Sequence, residues 1–453
     1  MAVGGTVSSD LLRDRFATAL SEMYCDEVPA YAALVQVVGK QNVKSRKGTF
    51  LLNAFDEVKN GQAYHGAIRL GSVEELRMMR RAFSIMGMQA VGYYDLSEAG
   101  LPVHSTAFRP TSSKALEVNP FRVFTSLLRL DLLDDVDLKH RIELTLSKRE
   151  VFTVRAVELI KIAETQGEFS DAQADEFVAE LLETFRWKKE ARVSLKDYKL
   201  FDHASRLVAD IVSFQGPHIN HLTVGAENID AAHETIASCG VQAKYSIEGP
   251  PIRKCPILLR QTAFKAIQEP VFFPDGAGGY HADSHTARFG EIEARGAALT
   301  PKGRALYDSL LAQAQAINDN EPASIKQVFS EFPDDWDELR EKGLVYFQYR
   351  LTPQTAQLSH FSSRECDLEK LLTQGAVEAV PIRYEDFLPV SAAGIFRSNL
   401  GQVSPVHVQA DSRKSAFEIS LGAKVLDPFE LYEAIESASI SHCLEACMTR
   451  FFA

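Results

Sequence analysis

One strand pattern occurs twice in this chain, at a fixed spacing. The first copy is Tyr64 to Leu70, Y-H-G-A-I-R-L, and the second is Gly216 to Thr223, G-P-H-I-N-H-L-T. Placing His65 on His221 gives an offset of 156 (221 − 65), and the same offset carries Ser105-Thr106-Ala107-Phe108-Arg109 onto Gln261-Thr262-Ala263-Phe264-Lys265. Between the two matches each copy holds a helical stretch (73–88; 229–239), a small-residue turn and an alternating run (89–94; 241–247). A chain built this way is an internal duplication, each unit reading strand, helix, strand, strand, with a histidine on each first strand. Period-2 alternation in the first copy puts His65 and Arg69 on one strand face.

The remaining segments are placed around these two units. Residues 1–56 are expected to form a helical N-terminal segment, 57–130 the first module, 131–214 a helical insertion, 215–300 the second module, and 301–453 a C-terminal region of helices and strands. Ser8-Ser9-Asp10 offers an N-cap ahead of Leu11, Leu12, Phe16, Leu20 and Met23 at helical spacing, predicting a helical cap over 8–39. A short element is expected at 49–55. In the first module Leu76, Met79, Phe83 and Met86 form a core stripe on one helix. Ser170-Asp171-Ala172-Gln173 is a capping box opening a helix that runs to about residue 185. The insertion is expected to cover the sheet or wall the site, and no residue in it points to catalysis. Beyond residue 300 the pattern predicts a helix at 302–317, strands at 345–351 and 377–384, and a last helix at 428–448.

Composition narrows the class of partner. The formal charge of −12 over 453 residues argues against a nucleic-acid partner, and there is no polybasic run for an anionic membrane. No stretch reaches the apolar length of a membrane span, and the opening residues lack the order of a secretory signal, so the cytoplasm is expected. The six cysteines show no C-x-x-C spacing and are expected to be reduced; Cys443 and Cys447, one helical turn apart, read as a packed helix face.

The shared offset singles out His65 and His221 among twelve histidines. His218 competes with His221, but strand residues three apart face opposite ways. In the run Arg288 to Arg295, R-F-G-E-I-E-A-R, alternation puts Glu291 and Glu293 on one face and does not choose between them. The Gly-rich segment at 274–285 has no lysine or helix start where a phosphate cradle needs one, so it is read as a flexible flap near the site. His285, next to the glutamate strand, is a candidate substrate contact; the other histidines are read as structural or solvated. No Ser-His-Asp order, Walker loop or Rossmann fingerprint is present.

The layout resembles the vicinal oxygen chelate superfamily, in which paired βαβββ modules curl around a divalent metal. The metal in many such enzymes is held by one histidine from each first strand and a glutamate from the last strand of the second module. Glu291 with Arg295 four residues on is similar to the glutamate strand of 4-hydroxyphenylpyruvate dioxygenase. A closer resemblance, to the 2-oxoadipate dioxygenase/decarboxylase family or hydroxyglutarate synthases, runs through nearly the whole chain. It is carried by Y-H-G-A-I-R-L-G at 64–71, P-H-I-N-H-L-T at 217–223, R-F-G-E-I-E-A-R-G-A-A-L-T at 288–300 and Y-E-D-F-L-P-V-S-A-A-G-I-F at 384–396.

That resemblance implies an α+β fold: paired modules forming a curved sheet around a metal site, with helical N-terminal, inserted and C-terminal segments. It further implies an Fe(II) cofactor held by His65, His221 and Glu291, the facial triad of non-haem iron oxygenases. Arg69 would read the far carboxylate of the substrate, a task its two-pronged fork suits, Val390 would line the pocket, and His65 would contact the substrate as well as the metal. The implied reaction takes 2-oxoadipate and O2 to 2-hydroxyglutarate and CO2, in lysine catabolism. The partners are then a small 2-oxo acid and O2, with no nucleic acid, no membrane, and no oligomeric state set by the sequence. Extradiol cleavage or a glyoxalase-type isomerisation on the same scaffold, or a metal-free binding protein, are the alternatives.

Overall fold

In the computed structural model the first unit takes the strand, helix, strand, strand order expected of it, and the second takes that order where its residues are described. The structure describes residues 5–46, 61, 63–236, 242–243, 247–316, 322–354, 367–388 and 411–451. A short strand β1 (Thr6–Val7) leads into α1 (Ser9–Glu27), whose N-cap Ser8 accepts from the Leu11 amide. The expected single cap over 8–39 is instead two helices. The chain breaks at Val28, and α2 (Pro29–Arg46) begins on a proline, which lacks the N–H that a first helical turn leaves unused. The element expected at 49–55 lies outside the described residues.

The first unit is β2 (Ala63–Leu70), α3 (Val73–Ile85), β3 (Gln89–Asp95), β4 (Val103–Arg109), a short α4 (Ser113–Val118) and β5 (Arg122–Leu128). The insertion supplies α5 (Val136–Leu146), α6 (Val154–Gln166), β6 (Phe169–Ser170), α7 (Asp171–Phe185), α8 (Leu195–Ala204) and α9 (Arg206–Ser213), and the Ser170–Gln173 capping box is made. The second unit is β7 (His221–Gly225), α10 (Ile229–Ile236), β8 (Leu259–Ala263), a hairpin of β9 (Gln268–Pro274) and β10 (Tyr280–Thr286), and β11 (Phe289–Arg295). Most of the run expected at 241–247 lies outside the described residues, but Ala243 bridges Phe264 at the edge of β8.

Seven strands form one curled sheet in the order β3-β4-β5-β2-β7-β11-β8. At its centre β2 and β7 run antiparallel, and each has the last strand of its own unit parallel on its outer side: β5 beside β2, β11 beside β7. The registers repeat as well, His65 facing Arg122 and His221 facing Phe289. The two units are therefore related by a pseudo-two-fold axis between β2 and β7. By that symmetry Phe124 occupies the place in the first unit that Glu291 takes in the second, two residues past the register partner of the histidine.

Every residue of β2 is buried, because both faces of the sheet are covered. Ile68, Leu70, Leu222, Val224 and Ile292 pack outward with Phe16 of α1, Phe83 of α3 and Phe185 of α7. The stripe Leu76, Met79, Phe83 and Met86 faces this core. On the inner face Ala67 and Phe124 meet Val208, Ile211 and Val212 of α9 and Phe387 from the C-terminal region. The insertion thus walls the inner face of the sheet.

Gly66 permits the close approach of the central strands. A Cβ there would lie 2.6 Å from Ile219 Cδ1, 2.9 Å from Leu222 Cδ2 and 3.2 Å from the His221 carbonyl oxygen, so fully buried core side chains would have to shift. Gly66→Ala is expected to cost about 1–3 kcal/mol by overpacking, read as a lowered midpoint in urea at unchanged slope. An unchanged midpoint would show that β2 and β7 can separate at no cost.

The Gly-rich segment is not a loose flap. It closes the β9–β10 hairpin, a separate two-stranded sheet, and the Asp275 carboxylate accepts from the Ala277 and Gly279 amides at 2.8 and 2.9 Å. Gly276 and Gly278 take φ of +79° and +94°, conformations open to glycine. What reads as flexibility in sequence is the chemistry of a tied turn.

In the C-terminal region a helix at Pro301–Ala316 and a strand pair, Phe347–Leu351 with Val377–Pro381, surround a third core that includes Cys443 and Cys447 of the final helix Pro428–Phe451. A helix at Asp411–Leu421, not expected from sequence, docks Phe417 and Leu421 into the α3 core. Among the described residues no helix is long and apolar enough to cross a membrane.

Candidate metal centre and substrate pocket

The sheet register assembles the candidate residues. Thr223 of β7 faces His65 of β2 on one side and Glu291 of β11 on the other, so the three lie in one row across three strands. His221, two residues before Thr223, projects from the same face. His65, His221 and Glu291 are fully buried, and one donor atom from each lies within 4.8 Å of the others. His65 Nε2 is 3.3 Å and His221 Nε2 3.4 Å from Glu291 Oε2, and the imidazole rings stand at 87°. Two imidazole nitrogens and a carboxylate oxygen, each nitrogen within 3.4 Å of the oxygen and all three within 4.8 Å of one another, are a donor set that fits one divalent cation.

Neighbouring groups hold these donors in place. Thr223 Oγ1 lies 2.9 Å from His65 Nε2 and donates to Glu291 Oε2 at 3.1 Å. Phe289 stacks on His221 at 4.8 Å, and Phe387 meets the His65 ring edge-on at 4.8 Å.

Glu293 shares the face of Glu291 but lies on the far side of the His65 ring, among charges. Its carboxylate takes Arg122 Nη2 at 2.9 Å and Arg295 Nε at 2.7 Å, and lies 3.3 Å from His65 Nδ1. Burial opposes its ionisation most strongly, but Arg122, Arg295 and His65 outweigh that and hold it well below the usual carboxylate range. An ionised carboxylate on the Nδ1 side of His65 favours the ring setting in which Nε2 turns to the centre, the arrangement that orients ligating histidines.

The wall carrying Phe387 is pinned by further buried pairs. Arg295 also bonds Glu385, and Arg109 makes a two-pronged pair with Asp386 at 2.7 and 3.0 Å, supported by the Tyr432 hydroxyl at 2.6 Å. Arg122 lies 4.3 Å over the Phe387 ring. None of Arg109, Arg122, Glu385 and Asp386 is singled out by periodicity; the Y-E-D-F-L string at 384–388 is the one trace of this wall in sequence. Val390, expected to line the pocket, lies outside the described residues.

Arg69 projects from the same face of β2 as His65, about 14 Å further along the strand at roughly 3.4 Å per residue. Its Nη1 meets Asp210 Oδ2 of α9 at 2.5 Å. Asp210 also takes His285 Nε2 at 2.8 Å and lies 3.2 Å from His218 Nε2, so an insertion in which sequence pointed to no such role contributes a buried charge beside the site. A lone aspartate in the otherwise apolar run L-V-A-D-I-V at 207–212 was the signal, because a buried charge demands a partner. His218 is thus in a different cluster from His221. His285 has both ring nitrogens engaged, by Asp210 and by the Tyr198 hydroxyl at 2.9 Å, so it acts on Asp210 rather than directly on a ligand.

A model of the 2-oxoadipate dioxygenase/decarboxylase family matches residues 16–399. An Escherichia coli protein named 2-oxoadipate dioxygenase/decarboxylase is 45% identical over 448 residues, 97% of this chain and 99% of its own. A Pseudomonas putida protein of the same name is 46% identical over 460 residues, 98% of this chain and 99% of its own. The crystal structure of the hydroxyglutarate synthase from Pseudomonas putida in complex with 2-oxoadipate matches with a TM-score of 0.89 at 44% identity, covering 98% of this chain and 99% of that one. With agreement of this extent in both sequence and fold, the chain belongs to the 2-oxoadipate dioxygenase/decarboxylase family.

Proposed function

We propose that this chain is an Fe(II)-dependent dioxygenase that converts 2-oxoadipate and O2 to 2-hydroxyglutarate and CO2, with His65, His221 and Glu291 as the metal ligands. The observation that carries this is the buried cluster of two imidazoles and one carboxylate, with the Arg69 guanidinium on the same strand face. Kinship to proteins named for 2-oxoadipate supports the substrate. Fe(II) bound at this donor set would supply chelation of the 2-oxo acid and reaction with O2.

The protein's own groups do the rest. Arg69 holds the far carboxylate and so sets which end of the substrate faces the centre. Glu293 keeps His65 Nε2 directed inward, while Phe289 and Phe387 exclude water from the reacting end. Val390 is proposed to line the same pocket. The overall reaction balances without a separate reductant, because both atoms of O2 and all six substrate carbons reappear in 2-hydroxyglutarate and CO2. A role in lysine catabolism and a cytoplasmic setting suit this chemistry. Cys25, Cys255 and Cys443 are thiols rather than disulfides, as a reducing compartment requires.

The test is oxygen uptake by the anaerobically Fe(II)-loaded protein on addition of 2-oxoadipate, with the product identified by mass. One O2 consumed per CO2 and 2-hydroxyglutarate is expected. Metal binding without O2 uptake would sink the dioxygenase assignment and favour an O2-independent reaction on the same fold.

A further inference from the structure

We propose that Asp210 is a positioning residue for substrate specificity: anchored by His285, His218 and Asn220, it presents the Arg69 guanidinium to the far carboxylate of a dicarboxylic 2-oxo acid. This rests on the assignment of Arg69 above and extends it to a residue that lies in neither duplicated unit.

Arginine has a long flexible stem, and to grip a carboxylate with two prongs its planar fork must arrive edge-on. Asp210 Oδ2 fixes one corner of that fork by taking Nη1 at 2.5 Å, a contact across 141 positions of sequence. A guanidinium carries five N–H donors and can serve two carboxylates at once, so this contact is compatible with a second acceptor from the substrate.

Asp210 is itself held too firmly to swing aside. Its Oδ1 takes His285 Nε2 at 2.8 Å, Asn220 Nδ2 donates to Oδ2 at 3.3 Å, and His218 Nε2 lies 3.2 Å from Oδ1 and 3.1 Å from the same Asn220 amide nitrogen. Behind these, Tyr198 of α8 bonds His285 Nδ1, Trp187 lies edge-on to His218 at 4.6 Å, and Phe214 packs on His285 at 4.9 Å. Asp210, His218, Asn220 and His285 are each at most 4% exposed. Groups from β2, the segment before β7 and the end of β10 therefore converge on the one carboxylate that α9 carries, with Tyr198 of α8 behind His285. Such a post orients Arg69 and does not act as a movable competitor for it.

The post also explains how the pocket tolerates a buried cation between turnovers. Asp210 balances Arg69 in the free protein, where an uncompensated buried charge would be costly. A 2-oxo acid with an apolar tail places no charge there and gains nothing from the arrangement.

The experiment compares Arg69→Ala, Asp210→Asn and Tyr198→Phe in the full-length Fe(II)-loaded protein. Turnover of 2-oxoadipate and 2-oxohexanoate is measured, with anaerobic calorimetric binding of both acids and metal content as controls. For Asp210→Asn, KM and Kd for 2-oxoadipate are expected to rise about tenfold, the worth of one well-placed charge-assisted hydrogen bond, with kcat and all 2-oxohexanoate constants within about twofold. Tyr198→Phe, which loosens His285 and leaves Asp210 in place, should shift the same constants in the same direction by about two- to threefold, and it decides the matter if Asp210→Asn does not fold. Equal losses on both acids, or tighter binding of 2-oxoadipate by Asp210→Asn, would overturn the proposal. Should Arg69→Ala affect both acids alike, the Arg69 assignment falls as well. If Arg69→Ala discriminates between them and Asp210→Asn does not, only the role of Asp210 falls.

Discussion

Glu291→Ala is expected to reduce oxygen-dependent turnover of 2-oxoadipate to background and to strip the protein of stoichiometric metal. Glu291 is the one anionic donor in the candidate set, so its loss leaves two neutral imidazoles facing a dication in a fully buried site. Glu293→Gln should behave differently. It keeps all three donors but removes the carboxylate charge beside His65, for which a loss of about 10–100-fold in metal affinity is usual, together with the charge that Arg122 and Arg295 share. Metal content after gel filtration, measured beside anaerobic oxygen uptake, separates the two variants. Retention of metal and activity in Glu291→Ala, with loss of both in Glu293→Gln, would reverse the roles assigned to the two glutamates. A wild-type protein that binds 2-oxoadipate without any metal, and a Glu291→Ala variant that binds it equally well, would leave a binding protein rather than an enzyme.

Arg69→Ala should lower kcat/KM for 2-oxoadipate by roughly 30- to 5,000-fold, the 2–5 kcal/mol typical when one partner of a buried charge pair is truncated. For 2-oxohexanoate, whose tail carries no charge, the change should stay within a few fold. The variant also strands Asp210, which burial works against ionising but which Arg69 and His218 together hold well below the usual carboxylate range. Lower thermal stability is therefore expected, from the cost of a buried charge deprived of its partner. The 2-oxohexanoate rate serves as the internal measure of folded, metal-loaded sites. A matching fall on both acids would mean that Arg69 supports the fold and does not select the substrate.

His65 and His221 were legible because two unrelated strings share one offset; no single histidine motif would have distinguished them from the other ten. The wall around Phe387 was not, since Arg109–Asp386 and Arg295–Glu385 join residues 277 and 90 positions apart that no local period connects. The Gly-rich segment misled for a different reason: glycine permits motion and tight turns alike, and only the Asp275 contacts identify the turn.

The sequence by itself determined the duplicated unit, the face of β2 that carries His65 and Arg69, the insertion between the units, and the family. These are set by short-range periods and by strings repeated or shared, all readable along one dimension. Periodicity left Glu291 and Glu293 equivalent and only the resemblance favoured Glu291; tertiary structure groups Glu291 with His65 and His221, and brings Asp210 to Arg69. Residues two apart on a strand share a face and are equivalent by period; they become distinct only through the strand alongside, where Thr223 pairs Glu291 with the row of His65. Asp210 reaches Arg69 because helix α9 packs on the inner face of the sheet, and buried charges find their partners in space and not along the chain.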